Sequence, residues 1–278
     1  MKIAVLSDIH GNVPALTAVL NDIEKWSPDD VYVNGDIVNR GPYSQAVLEL
    51  LKTNLPNAKY IRGNHETFVL FCRDNPLTPD DEKYQLRQFA LWTADQLSEY
   101  WLSEIESWGD HYDLSDLEDG CSFHITHGSR LGNRDGIGPA TPDDMLDQKL
   151  GESRDLFVAS HTHKSMIRYY NENLIINTGS VGQPLDDDPR ASYGRCSFFN
   201  GKWDVEIRRV DFDKETAKKD FYDSGFMENS GPVGQLIYLE HKHNRTFVGP
   251  FMRKYLHSVE QREIELDAAV KEYLASNT

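Results

Sequence analysis

The chain opens Lys2-Ile3-Ala4-Val5-Leu6-Ser7-Asp8-Ile9-His10-Gly11-Asn12, an apolar run that stops at a carboxylate. Residues 2–7 have the composition of a short buried strand. Beyond the glycine, Val13, Leu16, Leu20 and Ile23 recur at helical spacing, so strand, loop and helix follow one another. The alternation continues: residues 31–34, 59–61 and 156–159 read as short buried strands, and 43–52 and 66–72 as helices. This is the pattern of an α/β core. Asp8, Asp36 and Asn64 each stand just past the end of a predicted strand, where open α/β sheets gather their ligand sites.

Between Cys72 and Asp113 the pattern predicts two helices, the first opened by Thr78-Pro79-Asp80-Asp81 with a capping Thr and a Pro at the first helical position. They form an expected helical insertion at about residues 73–112. Thr141-Pro142-Asp143-Asp144 predicts a second helix start with different flanks, not a repeat. Residues 166–170, 174–177, 193–199 and 203–210 read as antiparallel strands, with Asn200-Gly201 as a hairpin turn, giving a sandwich-like α/β core. A helix is expected at 214–223. Residues 225–234, rich in Gly, Ser, Asn and Pro, read as a linker or long loop, which divides a domain of residues 1–224 from a linker and helical C-terminal extension at 225–278. The tail reads as one helix over about 255–274, with Leu256, Val259, Leu266, Val270 and Tyr273 on one face and Glu263 interrupting it. That face fits the core or another subunit, so an oligomer built through it stays open.

A chain of 278 residues accommodates one large domain with an appendage. No apolar run approaches the roughly 18 residues of a membrane span, and residues 1–6 are too brief for a secretory signal, so a cytoplasmic protein is expected. Cys72, Cys121 and Cys196 are odd in number and widely spaced, which predicts reduced thiols. The formal charge of −16 opposes binding to duplex nucleic acid or an anionic membrane. A small phosphorylated substrate remains compatible, because bound cations can override the surrounding field.

Residues two apart on a strand point the same way, so Asp8 and His10 can reach one metal, although a turn residue and a surface His give the same letters. Gly35-Asp36 supplies a carboxylate whose two oxygens can bind separate cations, or an ordinary turn. In Gly63-Asn64-His65-Glu66, Asn64 offers a neutral oxygen ligand or a helix cap, His65 is free for proton transfer, and Glu66 begins a helix. His127 and the pair His161-Thr162-His163 each leave an apolar run, and a single such His is usually structural. Imidazoles and carboxylates of this kind suit manganese, iron, zinc or nickel. His241-Lys242-His243 has the same spacing but lies among cations, and reads as solvated surface. In succession the motifs give ligand sets for two cations.

In this order they resemble the calcineurin-like metallophosphoesterase superfamily, whose Asp-x-His, Gly-Asp, Gly-Asn-His-Glu, His and Gly-His-x-His pattern is nearly reproduced over roughly residues 1 to 210. The resemblance implies a four-layer α/β/β/α sandwich and two divalent ions, or Fe³⁺ with a divalent ion. One would be held by Asp8, His10 and His163 and the other by Asn64, His127 and His161, with Asp36 bridging and His65 as catalytic acid. It implies a metal-dependent phosphoesterase, acting through a metal-bridging hydroxide on a phosphodiester, phosphomonoester or dinucleoside polyphosphate. Residues 177–184, Asn-Thr-Gly-Ser-Val-Gly-Gln-Pro, look like the prokaryotic phosphodiesterase branch. Residues 35–41 look like the serine/threonine phosphatase and diadenosine tetraphosphatase branch, where Arg40 would grip phosphate unless it is simply a surface Arg.

Three positions depart from the family. Ser160 replaces a Gly, Asn39 stands where an Asp would orient His65, and Leu185-Asp186-Asp187-Asp188 replaces a basic residue, which puts a phosphate contact from that loop in doubt. A phosphoprotein phosphatase and a non-catalytic metal-binding interaction scaffold are the alternative functions. Tyr84, Arg87, Phe89 and Trp92 of the insertion either cover a small nucleotide or form the insertion's own core.

Overall fold

A computed structural model describes residues 1–115, 122–152 and 154–277. β1 (Lys2–Leu6), α1 (Val13–Trp26), β2 (Asp30–Asn34), α2 (Ser44–Asn54), β3 (Lys59–Ile61) and α3 (Asn64–Asp74) alternate as expected. Two helices follow, α4 (Tyr84–Gln96) and α5 (Glu99–Ser107), and then β4 (His111–Leu114), β5 (Phe123–Thr126), α6 (Leu146–Leu150), β6 (Leu156–Ala159), β7 (Met166–Tyr170), β8 (Asn173–Asn177), β9 (Ala191–Phe199) and β10 (Lys202–Val210). The chain continues in α7 (Lys214–Asp223), α8 (Phe226–Asn229), α9 (Gly231–His243), α10 (Val248–Glu260) and α11 (Leu266–Asn277).

Two five-stranded sheets have the orders β10-β9-β1-β2-β3 and β4-β5-β6-β8-β7. β1, β2 and β3 run parallel, as do β5, β6 and β8. Alternate residues of one strand face opposite sides. Ile3 and Val5 meet Phe123, Ile125, Val158 and Ile176 between the sheets, while Ala4 and Leu6 meet Leu16, Val19 and Leu51 beneath the helices. Burial on both faces explains why these strands are continuously apolar. Outside the second sheet, Phe157 and Ile175 pack on Leu146 and Leu150 of the short α6. The architecture is the expected α/β/β/α sandwich, with one thin outer layer.

Several local expectations change. Thr78-Pro79-Asp80-Asp81 does not open a helix: the Asp81 carboxylate accepts from the Thr78 amide and hydroxyl at 2.6 and 3.0 Å, closing a turn, and α4 starts at Tyr84. Thr141-Pro142-Asp143-Asp144 does lead into a helix, through the 3₁₀ turn Asp143–Met145. Residues 225–234 are not a loop but α8 and the first turn of α9; Gly225 and Gly231, at φ +79° and +69°, separate the helices, and Phe226 and Val233 are buried. The Gly and Pro content marks helix ends and starts instead of slack chain. The single tail helix is two, α10 and α11, broken where Arg262 turns left-handed at φ +59°.

Nor does the insertion form one lobe. Trp101, Leu102 and Ile105 of α5 join the layer under α1 and α2. Phe89 and Ala90 of α4 share a second core with Cys72 of α3 and with Phe226, Leu236, Phe251, Val270 and Tyr273 of the C-terminal helices. Phe89 is therefore core, and Trp92, partly buried, packs against it. Among the described residues no helix is long and apolar enough to cross a membrane. Cys72 and Cys196 are buried free thiols, and Cys121 lies outside the described residues.

Phe226 has no exposed surface and meets Trp92 and Phe221 edge-on, at 5.3 and 5.1 Å between centroids. Phe226→Ala is expected to lower the unfolding free energy by about 3–5 kcal/mol, measured by urea denaturation. A loss below about 1 kcal/mol would mean that the bundle does not hold the fold together.

Candidate metal centre

The loops after β1, β2, β3, β5 and β6 converge on one point, and their backbones are forced. Asp8, His10, Asp36, Asn39, Arg40, His161 and His163 all have φ between +48° and +67°. For non-glycine residues this costs roughly 1–2 kcal/mol each. The loops after β2 and β3 are held by Glu66, wholly buried in the first turn of α3. Its Oε2 accepts from the Asp36 and Gly63 amides at 2.7 and 2.8 Å, and its Oε1 from the Ile37 and Val38 amides at 2.7 and 3.1 Å. Burial, then the neighbouring Asp36 carboxylate, pushes Glu66 up to about 7. Position 63 admits only glycine, since a Cβ there would stand 2.2 Å from Asp36 Oδ1.

The imidazoles are aimed by backbone carbonyls. Nδ1 of His10, His127 and His163 lies 3.1, 2.8 and 2.6 Å from the carbonyl oxygens of Asn39, Asn34 and Gln183. A carbonyl only accepts, so each Nδ1 carries a proton and each Nε2 faces inward, with a lone pair to offer whenever the ring is neutral. Nε2 of His10 and Nε2 of His163 are 3.2 Å apart, an approach that two lone pairs make only around a cation or a proton. Asp8 Oδ1, 3.2 Å from His163 Nε2, is buried without a hydrogen-bond donor. Asn64 Oδ1 lies 3.1 Å from His127 Nε2 and 2.7 Å from His161 Nδ1.

The donors fall into two groups, Asp8–His10–Asp36–His163 and Asp36–His127–His161, each with its ligand atoms within 4.8 Å of one another. Asp36 belongs to both. Its Oδ1 accepts from the His65 amide at 2.8 Å, while its Oδ2 lies 3.2 Å from His127 Nε2 and 3.9 Å from His10 Nε2. The donor set fits two cations. All seven residues singled out from the sequence as ligands are thus together.

Three departures acquire reasons. Ser160 is not left-handed, so no glycine is required, and its hydroxyl accepts from Asn34 Nδ2 at 2.8 Å and meets Thr178 Oγ1 at 3.1 Å, tying the ends of β2, β6 and β8. Asn39 Oδ1 accepts from the Arg40 amide at 2.9 Å, which leaves its Nδ2 facing His65 Nδ1 at 3.0 Å. His65 therefore accepts at Nδ1 and keeps its proton on Nε2, and burial pushes its imidazolium down to about 3. In the acidic loop, Asp186 is taken by Arg209 and Ser165 and Asp188 by Arg190.

Arg40 stands beside His10 and His65, and its guanidinium is paired with Glu240 of α9. Sequence reasoning passed over both Glu240 and the loop-holding role of Glu66. An acid three and four residues beyond the buried Ile237 and Leu236 was the signal for Glu240. The expectation for 241–243 is corrected in part: Lys242 and His243 are exposed, but His241 packs on Phe221 at 5.0 Å and reaches the Gly182 backbone, and burial pushes its imidazole down to about 4.

Glu66→Gln preserves shape but turns one acceptor oxygen into a donor facing amide donors. It is expected to cost about 3 kcal/mol or more and to abolish metal retention; a variant that keeps its metals on gel filtration would remove Glu66 from this role. Proton competition gives a second test. Burial alone would lower His127, but the Asp36 carboxylate overrides it and pushes the imidazole up to about 10, so His127 is cationic at neutral pH and must lose a proton to ligate. His10 and His161, lowered first by burial, need not. Metal affinity is expected to rise about tenfold per pH unit between pH 6.5 and 8.5. Isothermal titration in buffers of different ionisation heat would show the released proton, and a flat profile would contradict it.

The family model for calcineurin-like phosphoesterases matches residues 1–182. Uncharacterized protein MJ0912 of Methanocaldococcus jannaschii is 29% identical over 244 residues, 77% of this chain and 89% of that protein. The symmetrical bis(5'-nucleosyl)-tetraphosphatase of Psychromonas ingrahamii is 34% identical over 71 residues, 25% of this chain and 26% of that enzyme. A metallophosphoesterase from Sphaerobacter thermophilus superposes with a TM-score of 0.69 at 24% identity, over 88% of this chain and 100% of its own. Hypothetical protein PH1004 from Pyrococcus horikoshii does so with 0.70 at 21%, over 85% and 97%. At these identities the structural likeness speaks for the fold.

Proposed function

The chain belongs to the calcineurin-like phosphoesterase family, and we propose that it is a hydrolase of small phosphoesters or phosphoanhydrides that works with two metal ions. The observation that carries this is Asp36 Oδ2 standing between two convergent donor groups. Asp8, His10 and His163 would hold one ion, Asn64, His127 and His161 the other, with Asp36 common to both. Bound there, manganese, iron, zinc or nickel would supply Lewis acidity and a water of lowered pKa.

The protein's own groups do the rest. Arg40 can bind phosphoryl oxygens with the N–H groups that Glu240 leaves free. His65 presents Nε2–H, and with Asn39 donating to its Nδ1 it acts as a neutral hydrogen-bond donor to the departing oxygen. This refines the catalytic-acid role: a donor that keeps its proton best serves leaving groups that depart as stabilised anions. The phosphate of an anhydride is such a group, and the alkoxide of a phosphoserine is not. The short match to a dinucleoside tetraphosphatase points the same way, toward a nucleotide substrate.

A panel with added manganese tests the reading, comparing a phosphomonoester, a phosphodiester, a dinucleoside polyphosphate and a phosphopeptide. The anhydride is expected to turn over fastest. His65→Ala should lower kcat by about 10²-fold with both metals retained. Unchanged turnover would refute the assignment to His65. Two bound metals with no turnover of any ester would favour the interaction scaffold.

A further inference from the structure

α9 reaches into the centre from the C-terminal bundle, and it does so with a buried charge. Glu240 is 1% exposed. Its Oε1 accepts from the Phe247 and Val248 amides at 2.7 and 2.8 Å, at the start of α10, and is fixed there. Its Oε2 meets the guanidinium of Arg40 and lies 3.4 Å from Gln183 Nε2. The carbonyl of that same Gln183 receives His163 Nδ1, and the loop is gripped at two more points: His241 reaches the Gly182 backbone, and Asn244 Nδ2 lies 3.4 Å from the Pro184 carbonyl.

An acid in such a place is costly unless paired, and its removal leaves an arginine without its anchor. Arg40 follows Asn39 in a turn where both residues are left-handed, so the direction in which its side chain leaves the backbone is already restricted. Glu240 then fixes the far end. It occupies Nη2 and leaves Nη1 and the buried, unpartnered Nε for a ligand, so that little side-chain freedom remains to be lost when a phosphate arrives.

We propose that Glu240 is a positioning residue for phosphate recognition, acting through Arg40, and that the C-terminal helices thereby complete the substrate site. The proposal rests on the phosphoesterase reading. Its primary test is therefore independent of turnover: the affinity of the metal-loaded protein for inorganic phosphate, by calorimetry, in wild type, Glu240→Gln, Glu240→Asp, Arg40→Ala and the double variant Arg40→Ala/Glu240→Gln.

Glu240→Gln is expected to weaken phosphate binding about tenfold, the loss of one charge-assisted hydrogen bond, with two metals retained. Glu240→Asp, which keeps the charge, should restore part of the loss and stands in if the glutamine variant fails to fold. In the Arg40→Ala background the Glu240 substitution should have no further effect. On the best substrate of the panel the same variants should raise KM more than they lower kcat. Tighter phosphate binding by Glu240→Gln would make the contact autoinhibitory and overturn the proposal. So would additive losses in the double variant, equal affinities, or no phosphate binding by wild type. Phosphate binding that follows this pattern without any turnover would instead sink the phosphoesterase reading and leave the positioning role standing.

Discussion

One carboxylate holds the centre in shape. Glu66 accepts four amide hydrogens from two loops, and those loops carry Asp36, Asn39, Arg40 and Gly63. Without those four bonds, buried amides would lack partners and the left-handed residues would relax to ordinary conformations. Glu66 sits on the same turn of α3 as Asn64 and His65. The helix that presents a proposed ligand and the proposed proton-bearing His therefore also ties down the loops opposite. Strain in the loops and order in the helix are one system.

The second constraint is electrostatic. Three imidazoles have their Nδ1 protons turned outward by carbonyls, and their Nε2 atoms meet two carboxylates at a buried point. Such an arrangement demands positive charge at its middle. Protons can meet the demand, as the cationic His127 does, and metal ions meet it better, which links affinity to acidity. The chain's large negative charge is no obstacle to a phosphorylated substrate once cations and Arg40 define the local field.

Much of this was legible in the sequence because it is local. Strand, loop and helix alternate with clear periods in residues 1–74, and each candidate ligand motif follows a strand end, so the α/β core and the seven converging residues could be read together. What escaped depends on partners far away. The Gly-, Ser- and Pro-rich stretch at 225–234 looked like slack chain because its burial comes from α4 and α7, which local composition does not encode. Glu240 drew no notice, since its partner is 200 positions distant. Asp81 closed a turn with Thr78 where a helix start was equally well written, a competition decided by a single side chain.

That separation of 200 residues between Arg40 and Glu240 also sets an order of events in the cell. At roughly 5–20 residues per second, a ribosome needs about 10 to 40 s to deliver the second after the first. β1 likewise waits for β9 before its outer edge is paired. During that interval the nascent chain carries an exposed strand edge, an unpartnered arginine and a cluster of imidazoles able to capture stray cations. The helix that carries Glu240 is made after every strand that carries a candidate ligand, so the site is finished late.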